Sequence, residues 1–170
     1  MALRLALSRA GLDAPPVLVD SRGAPMLPPE VWGSISHKET LAVALVAPAT
    51  PHAATRLGVD VEVDRAPSQD IASKVLTDEE VGEVAGLESA ARARAVLLRF
   101  SAKEAIYKAL DPFVRRYVGF KEVSVRPLAA GAADVQMHLP AGDGTFAAEV
   151  RWRRWERYFV TTARVTKLGP

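Results

Sequence analysis

The chain has 170 residues, 49% of them hydrophobic, and no cysteine. The apolar share excludes a disordered chain and fits one compact unit or two small lobes sharing a core. The missing thiols exclude disulfides, thiolate zinc sites and cysteine nucleophiles, and point to a reducing, cytoplasmic setting. Twenty-two Lys and Arg against twenty Asp and Glu leave a formal charge of +2, too even a balance to suggest a nucleic-acid partner.

Met1 to Gly11 mixes leucines with Arg4 and Arg9. It is too short and too charged for a secretion signal or a membrane span, so no membrane partner is expected, and it predicts a short helix closed by Gly11. Pro15 to Pro29 is rich in proline and glycine and predicts turns crossing the surface. Trp32 to Ser36 and Leu41 to Val46 predict a hairpin with His37 at its bend, and Leu57 to Val63 a third strand. In Val59-Asp60-Val61-Glu62-Val63-Asp64 apolar and acidic residues alternate at strand period, so the valines enter the core and the carboxylates leave from the other side.

Thr77 followed by Glu80 has the spacing of a capping box and predicts an exposed helix to about Leu87. Ala90 to Leu110 is the strongest helix signal. Ala93, Leu97, Phe100 and the stem of Lys103 repeat along one side, and Asp111-Pro112 predicts the end. Phe120 to Val125, Ala133 to Leu139, Thr145 to Arg153 and Tyr158 to Val165 predict strands. Arg151, Arg153, Arg154 and Arg157, set around Trp152 and Trp155, read as a strand-turn-strand with solvated arginines in preference to an RNA-stacking surface. The order predicts an α+β fold of two small lobes. Residues 1–90 carry His37, Asp60 and Glu62; residues 91–170 carry Lys103, Glu104 and Lys108 on the long helix, and the shared cleft is the ligand site.

Two residues apart on a strand, Asp60 and Glu62 are about 7 Å apart at the backbone and face the same way. They can close around one hard cation such as Mg2+, which also accepts phosphate oxygens, or form the wet edge of an amphipathic strand. Asp64 reads as an ordinary surface acid or a support for that pair. Glu104 and Lys108 lie one helical turn apart and form either an exposed i,i+4 pair or part of a site. In a site Glu104 completes the metal set or takes a proton from a hydroxyl, and Lys108 neutralises a transferring phosphoryl group. Lys103 points elsewhere, to reach phosphate or to pack along its stem. Ser36, His37 and Lys38 offer donors suited to an anion, with simple exposure the alternative for His37. His52 and His138 receive no role, three scattered histidines make no zinc cluster, and neither a Walker loop nor a dinucleotide glycine fingerprint is present.

Taken together, Gly33-Ser34-Ile35-Ser36-His37-Lys38, Gly58-Val59-Asp60-Val61-Glu62 and Phe100-Ser101-Ala102-Lys103-Glu104-Ala105-Ile106-Tyr107-Lys108 resemble the 4'-phosphopantetheinyl transferase superfamily, most closely its monomeric two-lobe, surfactin- and enterobactin-type branch. The resemblance implies a pseudo-twofold pair of α+β lobes. It also implies transfer of the phosphopantetheine arm of coenzyme A to a serine of an apo acyl or peptidyl carrier protein in secondary metabolism, with adenosine 3',5'-bisphosphate released. Asp60, Glu62 and Glu104 would then be Mg2+ ligands, Glu104 also the base, and Ser36, His37, Lys38, Lys103 and Lys108 contacts for coenzyme A phosphates. Phe100 stands where the family often has tryptophan, and against the family pattern the chain looks short at its N-terminus, where an additional segment carries basic residues that grip the nucleotide end of coenzyme A; Arg4 and Arg9 are expected to preserve part of that surface. A noncatalytic carrier- or coenzyme A-binding module with the same fold is the alternative.

Overall fold

Helix α1 (Ala2–Arg9) ends as its sequence requires. Gly11 takes a φ of 74°, and the Gly11 and Leu12 amides bond back to the Ser8 and Leu7 carbonyls, closing the last turn in a Schellman motif. The protein, seen as a computed structural model, is described over residues 1–12, 16–50, 54–65 and 70–169; His52 lies outside these residues. Strands β1 (Val31–Lys38) and β2 (Leu41–Pro48) form an antiparallel hairpin. His37 is not at its bend. The loop is Glu39-Thr40, with Glu39 at a φ of 46°, and His37 pairs with Ala42 inside the ladder. A positive φ at the first loop residue is what a two-residue hairpin connection needs.

Strand β3 (Thr55–Val63) leads through the short helix α2 (Ala72–Val75) and helix α3 (Asp78–Val84) to the long helix α4 (Ser89–Val114). The four strands that follow are β4 (Val123–Pro127), β5 (Ala132–Met137), β6 (Thr145–Trp155) and β7 (Tyr158–Leu168). The fold is mixed α+β with two sheets, the β1-β2 hairpin and an antiparallel sheet of order β3-β7-β6-β5-β4. Residues 1–90 and 91–170, read as two lobes with a shared cleft, are joined through the larger sheet, because β3 is paired with β7 from Thr55↔Thr166 to Val63↔Tyr158. Strand periodicity reveals a strand but not its neighbour, so this pairing is not visible in the sequence. Among the described residues no helix is long and apolar enough to cross a membrane.

Helix α4 lies across β3 and β7 and buries Ala102, Ala105, Ile106, Ala109 and Leu110 against Val123, Val125, Phe146, Val150, Ala163 and Val165. It continues past Asp111-Pro112. The Arg115 amide bonds to the Asp111 carbonyl and Arg115 closes the helix in the left-handed region, so Pro112 is carried within the final turn instead of stopping it one turn earlier. The Thr77–Glu80 capping box forms as predicted. The α3 helix it opens is not simply exposed, since Glu80 and Val84 are buried.

One glycine fixes the distance between the sheet and α4. A Cβ at Gly58 would stand 1.8 Å from the Ala105 carbonyl oxygen, a clash only backbone movement could relieve. Gly58→Ala is therefore expected to destabilise the protein by about 1–3 kcal/mol or more, read as a lower urea midpoint, and to draw Asp60 away from α4.

Candidate active site

β1 runs alongside the free edge of β3 and presents Ser34, Ser36 and Lys38 to it at every second residue. The Val59 amide donates to Ser34 Oγ at 3.1 Å, Ser36 Oγ donates to Asp60 Oδ1 at 2.9 Å, and Lys38 Nζ donates to Glu62 Oε1 at 2.8 Å. From α4, Lys108 Nζ reaches Asp60 Oδ1 at 2.8 Å and the Val59 carbonyl at 3.0 Å, and Ser101 Oγ donates to Asp60 Oδ2 at 2.9 Å. Thr161, opposite Asp60 in the ladder, donates to the Ser101 carbonyl at 2.9 Å. Asp60 and Glu62 are thus both buried yet supplied with donors, which is what keeps buried carboxylates tolerable.

Glu104 completes the group from the helix side, half-buried. Its carboxylate receives no hydrogen bond among the described residues, and Lys108, one turn on, turns to Asp60 in place of forming the simple i,i+4 pair. Burial, then the Asp60 charge, push the Glu104 carboxyl above its ordinary value, partly opposed by Lys108. Burial likewise raises Glu62, opposed by the Lys38 hydrogen bond. A raised acid pKa means the folded state disfavours the ionised form. That penalty is full above the folded-state pKa, shrinks as pH falls from there, and is absent below the ordinary value of 4.5. Glu104→Gln should accordingly stabilise the metal-free protein near neutral pH and lose this advantage on acidification, as urea titrations between pH 4 and pH 8 would reveal.

The donors fit a hard divalent cation in kind, with three carboxylates on two elements and one of them without a hydrogen-bond partner among the described residues. They are not gathered into a ready-made cluster: no group of three acids or histidines among the described residues could hold a metal as it stands, and Lys108 and Lys38 are paired with Asp60 and Glu62. Beside them opens a cleft of about 450 Å3, lined on the helix side by Glu104, Tyr107, Lys108 and Asp111 and elsewhere by Arg22, Trp32 and Arg56. Arg22 grips Asp111 with two nitrogens, and the Arg56 guanidinium lies 5.9 Å from the Trp32 ring centre and 5.2 Å from that of Phe113. A narrow slot bordered by Tyr117, Val118 and Phe120 meets the cleft at Glu104 and Tyr107.

The sequence matches two family models: the 4'-phosphopantetheinyl transferase superfamily over residues 56–163 and the 4'-phosphopantetheinyl transferase N-terminal domain over residues 1–47. The chain belongs to the 4'-phosphopantetheinyl transferase superfamily. It is 34% identical over 171 residues to the 4'-phosphopantetheinyl transferase Svp of Streptomyces mobaraensis, covering 95% of this chain and 68% of that protein. To enterobactin synthase component D of Salmonella austin it is 32% identical, over 81% of this chain and 56% of the relative. Among solved structures, the Chronobacterium ammoniagenes ACPS-CoA complex shares the fold at 18% identity, with a TM-score of 0.54 over 68% of this chain and 99% of that one.

Of the residues read from the transferase motifs, Ser36 and Lys108 meet on Asp60 and Lys38 meets Glu62, with Glu104 near enough for the Asp60 and Glu62 charges to act on it. Lys103 does not join them. Its ammonium is buried between Glu80, at 2.6 Å, and the Val75 carbonyl, at 2.7 Å, because one residue along a helix turns a side chain by about 100°. His37, of opposite parity to Ser36 and Lys38, is exposed on the side away from the two acids. Asp64 is no ordinary surface acid; its nearly buried carboxylate joins Arg94 of α4 to Arg154 of β6. Trp152 is packed on Phe159 and donates to the Ala132 carbonyl, while Arg157 pairs with Glu39. The sequence reading misses Ser101, Thr161, Glu80, Arg22 and Tyr107. Ser101 lies inside the helix motif and could have been found from its position three residues before Glu104, whereas nothing local marks Arg22 as a partner of Asp111.

Proposed function

We propose that this chain transfers the 4'-phosphopantetheine arm of coenzyme A to a serine of an apo acyl or peptidyl carrier protein. The observation that carries the reading is that Lys108 of α4 bonds Asp60 of β3, while Glu104, one turn away, lines the same cleft as Lys108 and lies within reach of the Asp60 and Glu62 charges. Asp60, Glu62 and Glu104 are the residues that would hold Mg2+, which when bound supplies Lewis-acid charge to the diphosphate of the donor. Glu104 takes the serine proton directly or through water. Lys108 offsets charge on the departing adenosine 3',5'-bisphosphate, and Ser36 holds Asp60 in place while it does so. The site draws all its acids from a single chain, which supports a monomer, and the absence of thiols supports work in the cytoplasm.

Incubation with coenzyme A, Mg2+ and a panel of apo carriers, followed by mass spectrometry, tests this reading. One phosphopantetheine per carrier serine is expected, lost in Glu104→Gln. Carriers that bind yet stay unmodified would replace the transferase reading with a noncatalytic binding module.

A further inference from the structure

Two ammonium groups sit on the paired acids, and they are held very differently. Lys108 Nζ has a second acceptor, the Val59 carbonyl, and its side chain is 27% exposed. Lys38 Nζ bonds only Glu62 among the described residues, from a side chain 43% exposed against 10% for the acid. It stands at the last position of β1 before the Glu39-Thr40 loop. Glu39, the adjacent acid, is taken by Arg65 and Arg157 and does not draw Lys38 away. A strongly hydrated ammonium on a four-carbon stem leaves a half-open position readily, unlike the fully buried Lys103.

Resting on the cation site of the proposed function, we propose that Lys38 is a displaceable counter-ion that competes with the divalent cation for Glu62 and so sets the affinity of the site. The contested atom is Glu62 Oε1, 2.8 Å from the ammonium. A cation that takes this oxygen cannot share it with a like charge at hydrogen-bond distance, so Lys38 turns out to solvent as the cation enters. Lys38 is a positioning residue, acting on the cation through the acid they share.

The test is calorimetric titration with Mg2+ alone at pH 8. Lys38→Met should bind Mg2+ at least about fivefold more tightly than the parent chain, the low end of ordinary site-to-site coupling. Lys38→Arg, which keeps the charge, should bind like the parent, and Lys38→Gln, which keeps a neutral donor to Glu62, should behave as Lys38→Met does and serves if that variant does not fold. Equal or weaker binding by a folded Lys38→Met, with Mg2+ still bound by the parent, overturns the role of Lys38 and leaves the site intact. No Mg2+ binding by any variant, the parent included, overturns the site and this inference together.

Discussion

Lys103→Met is expected to cost about 3–5 kcal/mol of folding stability while leaving transfer by the folded protein nearly unchanged. Glu80 is 2% exposed, and its carboxylate accepts from the Thr77 amide, the Val125 amide and Lys103 Nζ, at 2.7, 2.7 and 2.6 Å. It thereby ties α3 to β4 and to the middle of α4. Arg99, the next cation, has its Nε 4.0 Å from Glu80 and is engaged with Glu83, so removing the lysine leaves a buried charge poorly compensated. Burial is the leading effect on Lys103 and lowers its pKa despite the opposing pull of Glu80, so the lysine itself gives up hydration to sit there. Glu80→Gln combined with Lys103→Met should therefore recover most of the loss, as a urea double-mutant cycle would measure. The KM for coenzyme A should stay within about twofold, because uniform binding is lost only when a substrate contact is lost. A large rise in KM at full stability would return Lys103 to the phosphate-binding role that its place in the helix motif suggests.

Most strands and the long helix are legible because period and capping are local properties, but Phe120–Glu122, read as the start of a strand, forms a 3-10 turn before β4 begins at Val123. The Asp60-Val61-Glu62 alternation, the Thr77–Glu80 box and the Ala-rich helix each state their structure within a dozen residues, and Glu104 and Lys108 share a face by helix geometry alone. The pairing of β3 with β7 was not legible, because Asp60 and Thr161 meet across a hundred residues of chain with nothing in either strand to select the other. The same limit hid Glu80. A capping box accounts for its bonds to Thr77, so the further roles of its carboxylate, as partner of Lys103 and acceptor for the Val125 amide, leave no local trace. His37 was misplaced for a different reason: polar residues around it resemble a turn, yet the ladder runs to Lys38 because the positive φ is taken at Glu39.

Asp60→Asn is expected to reduce transfer at least about 100-fold, the scale seen when one preorganised charge-stabilising group is removed, without a comparable loss of stability. An amide can still accept at Oδ1 from Ser36 and Lys108, and its Nδ2 can donate to Ser101 Oγ, which already shares hydrogen bonds with Thr161 at 2.8 Å. The substitution therefore removes charge with little change in shape. Two consequences separate the roles of that charge. Thermal stabilisation by Mg2+, expected of a ligand bound only by the folded state, should disappear in Asp60→Asn if the carboxylate belongs to the cation site. The Lys108 ammonium keeps its hydrogen bonds to Oδ1 and to the Val59 carbonyl but loses its ion-pair partner, and excess Mg2+, which does not replace that carboxylate charge, should not restore the rate. An Asp60→Asn protein that matches the parent rate at saturating Mg2+ would remove Asp60 from the chemistry and leave Glu62, Glu104 and Lys108 to act without it.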